Sequence, residues 1–155
     1  MVKQIADIKE DYPKIIVNFN DYFLDTKDEK WEENFDIFTE KYINFNKPEK
    51  IYSIIIYPKI NFKKLYFMVK KGIDLIEKLK ELKNKNKYFC ENTIVIVNNN
   101  ILVNSFFNIL FSLTSPLSNF YLVDNEFSAN KLFNKIYKKE HICGKDYNSL
   151  FKSKF

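Results

Sequence analysis

The residue types best suited to nucleophilic catalysis are scarce in this sequence. His141 is the single histidine, and the two thiols belong to Cys90 and Cys143. A nucleophile usually needs a base beside it, most often a histidine. The H-x-C spacing of His141 and Cys143 in a polar C-terminal segment favours a surface histidine over a catalytic pair. We therefore expect no catalytic residue and no enzymatic activity.

The sequence also lacks the patterns of metal and phosphate sites. One histidine and two widely separated cysteines supply at most three such ligands without C-x-x-C spacing, so no metal site is expected. Loops that cradle phosphates need glycine directly after a strand. The two glycines, Gly72 and Gly144, fall in a predicted helix and in the C-terminal segment. Walker and dinucleotide motifs are therefore absent, and we expect no cofactor.

Polar side chains that follow the predicted strands indicate one place where a ligand could bind. Lys59, Asn98 and Asp124 each come just after an apolar, strand-like run. In open α/β sheets, ligands bind at the carboxyl ends of the strands. This strand-end rim predicts a small-ligand or phosphoryl site with Lys59 and Asp124 as its charged groups. The alternative interpretation is that asparagine and aspartate stand there as turn formers and helix caps.

Lysines on the longest predicted helix are the main basic feature. All 25 basic residues of the chain are lysine, and the net charge is +5. The lysines that we expect to form an interaction surface are Lys78, Lys80, Lys83, Lys85 and Lys87. Base readout relies on arginine, so sequence-specific binding of nucleic acid is not expected. The run is either a solvated helix face or a contact for an anionic membrane surface or for the phosphates of nucleic acid.

Apolar periodicity predicts a single α/β domain in which strands alternate with helices. Strands are predicted over 14–19, 51–57, 93–97 and 120–123, with 22–24 as a hairpin partner of the first, and helices end near residues 43, 85, 113 and 139. Crossovers of this kind require a mostly parallel sheet, here of four or five strands with about four helices. We expect residues 1–13 to be a lead-in, 14–140 the domain, and 141–155 a polar tail docked by Phe151 and Phe155.

The predicted third helix, 101–113, is apolar almost all round. Phe106, Phe107 and Phe111 either belong to the core or form an exposed patch for a partner.

The sequence of the third helix is too short to span a bilayer, and the N-terminus lacks the apolar segment of a signal peptide. With two cysteines, these features predict an intracellular, cytoplasmic protein. The composition, rich in lysine, asparagine and isoleucine, is typical of AT-rich genomes such as those of large DNA viruses, so a virion-associated protein is a further expectation.

The stretch from Ile51 to Ile136 resembles the STAS (SpoIIAA-like) domain. It contains IYSIIIY, a long helix, NTIVIVNNN, and then ILVNSFFNILFSLTSP followed by NFYLVD. The CRAL-TRIO (Sec14-like) domain shares that general architecture. The STAS resemblance implies a non-catalytic protein-interaction or scaffolding module that binds a protein partner or a second copy of itself. The CRAL-TRIO alternative implies a domain that binds an apolar ligand or an anionic membrane.

The resemblance does not extend to the phosphorylation switch of the STAS family. Its bacterial antagonists have a phosphorylatable serine after a central strand, in a D-S-[ST]-G-like segment. The corresponding segment here is Tyr57-Pro58-Lys59-Ile60-Asn61, which has neither the serine nor the glycine. We therefore expect a module without that switch.

Overall fold

The computed structural model describes residues 2–46, 51–58, 62–98 and 101–154. Within these ranges the chain forms six strands, four α-helices and one 3-10 turn, Asp21–Leu24. The strands are β1 (Ala6–Asp11), β2 (Lys14–Phe19), β3 (Ile51–Ile56), β4 (Cys90–Ile96), β5 (Asn119–Val123) and β6 (Ser149–Phe151). The helices are α1 (Trp31–Asn44), α2 (Phe62–Asn84), α3 (Ile101–Leu113) and α4 (Glu126–Tyr137). The predicted α/β alternation is therefore confirmed.

The strands form one mixed sheet, in which they lie in the order of the chain. Strands β2 to β5 are parallel to one another, and β1 and β6 pair antiparallel at the two edges. The sheet thus has six strands of mixed direction, whereas the sequence predicted a mostly parallel sheet of four or five. Both edge strands lie in segments that were expected to be a lead-in and a tail.

Strand β1 is the partner that residues 22–24 were expected to provide. Ala6 and Ile8 face the core beside Phe19 and Val17 of β2. The intervening Asp7 and Lys9 are exposed, so only one side of β1 is apolar. Residues 22–24 instead belong to the 3-10 turn that leads towards α1.

Strand β6 fixes the end of the chain to the sheet. Phe151 packs against Phe111 of α3, with ring centroids 5.1 Å apart, which agrees with its expected docking role. Phe155 lies outside the described residues. The segment 141–155 is therefore part of the folded unit at least as far as β6.

The helices divide unequally between the two faces of the sheet. Right-handed crossovers between parallel strands in sequential order keep successive helices on one face. Helices α1, α2 and α3 accordingly share a core with one side of the strands, as shown by the buried cluster of Phe38, Val69 and Phe107 with Val17, Val95 and Leu122. Helix α4 packs on the opposite face through Ala129, Leu132 and Phe133, against Ile94, Ile96 and Val123.

Trp31 anchors the first helix to the rest of this core. Its ring is stacked on Phe35 at 5.1 Å and meets the edge of Phe67 of α2 at 5.2 Å. Its indole N–H donates to the carbonyl oxygens of Tyr22 and Phe23, each at 3.2 Å. The 3-10 turn, α1 and α2 are therefore held together by one buried side chain.

Gly72 permits the close approach of α2 and α3. A Cβ atom placed on it would lie 3.1 Å from Leu110 Cδ1 and 3.5 Å from Phe106 Cζ. Glycine costs about 1 kcal/mol relative to alanine inside a helix. That cost is offset here by contact between the two helices.

We predict that Gly72→Val lowers the free energy of unfolding by about 1–3 kcal/mol, because the branched side chain forces α2 away from α3. Valine is a better helix former than glycine, so helix propensity alone would give the opposite sign. The matched control is Lys70→Val, two residues earlier on the exposed side of α2, which should change stability by less than about 1 kcal/mol. Urea unfolding measures both, and equal effects would contradict the packing role.

Candidate functional site

The carboxyl ends of the parallel strands form the edge at which α/β sheets bind ligands. Adjacent strands β4 and β5 lead into α3 and α4, which lie on opposite faces of the sheet. At this point the backbone N–H of Asn98 donates to the carbonyl oxygen of Asp124 at 3.0 Å. The structure therefore brings together two of the three predicted strand-end residues, and Lys59 lies outside the described residues.

Several polar groups at these strand ends have structural partners. The side-chain amide of Asn148 donates to Asp124 Oδ1, and Asn125 Oδ1 accepts the backbone N–H of Ser128 at 2.8 Å as the N-cap of α4. Asn98 adopts a left-handed backbone conformation with φ of 47°. These roles agree with the interpretation of the rim as turn formers and helix caps.

A cavity of about 80 Å³ lies between the sheet and helices α1 to α3. Its lining is mainly apolar and aromatic and includes Tyr42 and Tyr57. Tyr57 is stacked on Phe19 with ring centroids 4.7 Å apart. Burial raises the pKa of both tyrosines well above the usual value, so their hydroxyls stay protonated. The cavity offers apolar contact, and it is smaller than typical ligand sites of about 300–1,000 Å³.

Cys90 is a buried structural thiol at the start of β4. Its Sγ lies 3.4 Å from the carbonyl oxygen of Asn92 and 3.6 Å from Thr93 Oγ1. Thr93 in turn shares a 2.8 Å hydrogen bond with Ser118. Burial raises the pKa of the Cys90 thiol, although hydrogen bonds from its neighbours oppose that shift. A thiol held in its protonated form is a poor nucleophile.

The segment that contains His141 and Cys143 is held to α4 by an ion pair. Lys135 Nζ lies 2.9 Å and 3.0 Å from the two carboxylate oxygens of Asp146, and the backbone N–H of Cys143 donates to the same carboxylate at 2.9 Å. Lys135 and then the Cys143 N–H lower the pKa of Asp146 to about 2. His141 and Cys143 themselves are exposed. Across the described ranges, no group of three or more potential ligands could hold a metal ion.

The lysines predicted as an interaction surface have different environments. Lys78 Nζ lies 3.4 Å from Asp36, and Lys83 donates to the carbonyl oxygen of Leu117 at 2.8 Å. Burial lowers the pKa of Lys83. The side chains of Lys80, Lys85 and Lys87 are exposed, but the exposed side of α2 also carries acidic residues, namely Asp74, Glu77 and Glu81. The predicted surface is therefore of mixed charge.

The phenylalanines predicted as part of that surface lie mainly in the core. Phe106 and Phe107 are buried, which excludes them from a surface patch. Phe111 is half-buried, with its ring 5.0 Å from Phe120 and 5.1 Å from Phe151. The reason is that α3 packs beside α2 and over the β5–β6 edge, which covers the side that carries these phenylalanines. In the part of the chain that the structure describes, no helix has the length and apolarity to cross a membrane.

The apolar groups that the structure does expose lie elsewhere. We call Phe62, Tyr66, Ile101 and Phe127 the carboxyl-edge rim; their exposed fractions are 77%, 83%, 79% and 79%, the highest of the large apolar residues in the described ranges. Each lies in the first turn or two of a helix that follows β3, β4 or β5. The sequence contained a signal for the exposed residues of α2. Phe62 and Tyr66 lie outside the buried stripe that begins at Leu65, so they could have been predicted to face solvent.

Charge is unevenly distributed around this rim. Beside Phe62 and Tyr66, Lys63 and Lys70 are exposed, and the first turn of α2 contains no acidic residue. At the start of α4, on the other face of the sheet, the charges next to Phe127 are the carboxylates Asp124 and Glu126, and the exposed Lys131 follows one turn further along. The rim therefore has a basic half, with its lysines on α2 and Ile101 on α3, and an acidic half at the start of α4.

Comparison with known proteins does not assign this chain to a group. No protein-family model matches it, and no curated protein and no solved structure is significantly similar to it. The resemblances to STAS and CRAL-TRIO domains therefore stay expectations. Function has to be inferred from the chemistry of the site itself.

We predict that Cys143 reacts with a thiol reagent in the native protein and that Cys90 does not, because only Cys143 is exposed. Titration with Ellman's reagent should give one equivalent rapidly and a second only after denaturation. In Cys143→Ser the rapid equivalent should disappear. A rapid equivalent that persists in that variant would show that Cys90 is accessible.

We predict that Asp146→Asn destabilises the protein at neutral pH in a pH-dependent way. A carboxylate whose pKa falls from 3.8 to about 2 on folding stabilises the fold above pH 3.8, and that contribution is lost as the pH falls towards 2. The gap in urea midpoint between wild type and variant should therefore be constant near neutrality and shrink below pH 3.8. Asp74→Asn, an exposed carboxylate on α2, serves as the control, and an equal gap for both variants would contradict the role of the ion pair.

Proposed function

We propose that this protein is a non-catalytic docking module that binds its partner through the carboxyl-edge rim. The observation that carries the proposal is the collection of its four most exposed large apolar side chains, among those described, at one edge of the sheet. Burying a side chain of this size is worth about 1.5–3 kcal/mol. A surface that leaves several of them in water near one another is typical of an interaction site.

The location of the rim supports the same function. The carboxyl edge is where the loops of an α/β sheet are free to vary without disturbing the strands. At the opposite, amino edge the exposed apolar residues include Tyr12, in the β1–β2 turn, and Leu113, at the end of α3. These are less exposed than the rim, at 53% and 65%.

The chemistry available in the described residues favours binding over catalysis. Catalysis needs an acid, a base or a nucleophile that converge on one point. Here the strand ends bring together Asn98, Asp124 and Asn148; Asn98 and Asp124 are joined through their backbones, and Asn148 donates to Asp124 Oδ1. The buried thiol of Cys90 is held protonated. These strand-end groups and the protonated thiol are consistent with a docking module of the STAS type that has no serine switch.

Storage of an apolar ligand, as in a CRAL-TRIO-like domain, has less support. The cavity of about 80 Å³ is a few times smaller than sites for drug-sized ligands, which start at about 300 Å³. A lipid chain would require helices α2 and α3 to separate, and Gly72 packs closely against Leu110. The membrane-binding part of that alternative does not depend on a cavity.

We predict that the double variant Phe62→Ser/Tyr66→Ser loses the protein's complexes while it keeps the fold. The matched control is Tyr12→Ser/Leu113→Ser, which removes exposed apolar groups from the amino edge. Each protein is labelled at Cys143 and sedimented in a concentrated cell extract with fluorescence detection. Wild type and control should sediment faster than the isolated protein, and the rim variant should sediment as the isolated protein does.

Circular dichroism and urea unfolding verify that the variants are folded, since surface substitutions usually change stability by less than about 0.5 kcal/mol. Identical sedimentation of wild type and the rim variant in an extract that retains its membranes would reject the rim as the docking surface. Loss of complexes in the amino-edge control alone would place the surface at the opposite edge.

A further inference from the structure

Helices α2 and α3 present their first residues at the same level of the molecule. Both follow parallel strands of one sheet and pack side by side where Gly72 meets Leu110. Phe62 lies ten residues before Gly72, and Ile101 lies nine residues before Leu110. At a rise of 1.5 Å per residue, the two side chains start about 15 Å and about 14 Å above that contact. Both side chains are exposed at this end of the helix layer, which we call the apolar tip.

Residues of α2 extend this tip down one side of the helix. Phe62, Tyr66 and Lys70 follow one another at intervals of four, so they share a face of α2. All three are exposed, as is Lys63 in the first turn. The other nearby lysines have partners elsewhere: Lys64 donates to Thr26 Oγ1, in the segment before α1, and Lys71 lies 3.1 Å from Glu32 of α1. The outward face thus combines apolar groups with two cations.

The charge of this face selects an anionic partner. The first turn of α2 contains Lys63 and no acidic residue, although the helix dipole favours carboxylates at that end. The first acidic residue of α2 is Asp74, on the fourth turn. The net charge of +5 adds a general attraction to negative surfaces. The acidic half of the rim, at Asp124 and Glu126, lies across the sheet.

The shape and chemistry of the tip favour a lipid surface among anionic partners. Stacking on nucleotide bases requires aromatic faces, and Ile101, which has none, is as exposed as the aromatic residues. A bilayer boundary accepts aliphatic and aromatic side chains alike, and tyrosine places its ring there with the hydroxyl in the headgroups. Lysine suffices for binding lipid phosphates and carboxylates, because these groups need a positive point charge and not the two parallel donors of an arginine side chain.

We infer that the basic half of the rim, formed by Phe62, Lys63, Tyr66, Lys70 and Ile101, docks the protein on an anionic lipid bilayer. This inference rests on the proposed function and names its partner. Phe62 and Ile101 enter the boundary between headgroups and acyl chains, and Lys63 and Lys70 contact anionic headgroups. The helix layer then faces the membrane, and the acidic half of the rim faces away from it.

Co-sedimentation with vesicles of phosphatidylcholine, with and without phosphatidylserine, tests the inference. Wild type should bind the phosphatidylserine vesicles, bind pure phosphatidylcholine much more weakly, and be released by salt. Phe62→Ser/Tyr66→Ser should weaken binding on the order of tenfold or more, because two inserted side chains are lost. Binding that is equal for wild type and this variant would overturn the inference.

A charge-matched pair separates the tip from the general charge of the protein. Lys63→Glu/Lys70→Glu should abolish vesicle binding, whereas Lys85→Glu/Lys87→Glu, with the same net charge at the other end of α2, should retain most of it. Equal loss in both pairs would show attraction by net charge alone and would contradict docking by the tip. As an independent readout, Phe62→Trp should shift its emission to the blue on binding, since the native Trp31 is already buried.

The two proposals fail in distinguishable ways. If vesicles do not bind wild type, but the rim variant still loses its complexes in membrane-free extract, the inference is wrong and the partner is a protein. Retention by single-stranded oligonucleotides in place of vesicles would likewise overturn the inference and assign the tip to nucleic acid. If the rim variant behaves like wild type in extract and on vesicles, both the inference and the proposed function are wrong.

Discussion

The central strand β4 must be buried on both faces, and the rest of the structure follows from that requirement. Ile94 and Val95 point to opposite sides of the sheet, and both are fully buried. Strands in sequential order with right-handed crossovers place α1, α2 and α3 on one face only. The chain therefore needs a further helix, α4, on the other face. Successive helices therefore change sides between β4 and β5, at the carboxyl edge of the sheet.

The need to cover the second face of the sheet also explains why the chain continues through α4 to β6. Helix α4 lies over Tyr52, Ile94 and Tyr121, and Tyr52 meets Phe133 edge-on at 5.3 Å. The Lys135–Asp146 ion pair holds the following loop against α4, and β6 then closes the edge beside β5. The second face near β1 is instead charged, with Asp7, Lys9 and Asp11 exposed. Charged residues on an edge strand discourage pairing with other chains.

Sequence patterns predicted the central strands and the helices because their burial is regular. We could predict α1 from the four-residue and three-residue spacing of its apolar residues, and β3 and β4 from their β-branched runs. These patterns are local, so no knowledge of the packing neighbours was needed. Strand β1 was missed because only Ala6 and Ile8 face the core, and β6 because three residues show no period. The surface was harder to predict, since a phenylalanine on α3 is exposed or buried according to what packs beside that helix. The packing of α3 against Gly72 of α2 and of β6 against Phe111 decides that question, and neither contact has a local signal in the sequence.

The residues that fold the protein and those proposed to bind are separable along α2. The buried stripe begins at Leu65 and runs through Val69, Ile76 and Leu79, so the fold does not require large apolar groups at 62 and 66. A lysine in the first turn also opposes the helix dipole, which makes it unfavourable for α2 alone. Local choices that cost stability without a structural gain are expected at functional sites. The start of α2 thus has two independent unfavourable features: exposed apolar side chains at 62 and 66, and a lysine at the positive end of the helix dipole. Contact with an anionic, partly apolar surface would remove both, and this is the physical reason to look for function there.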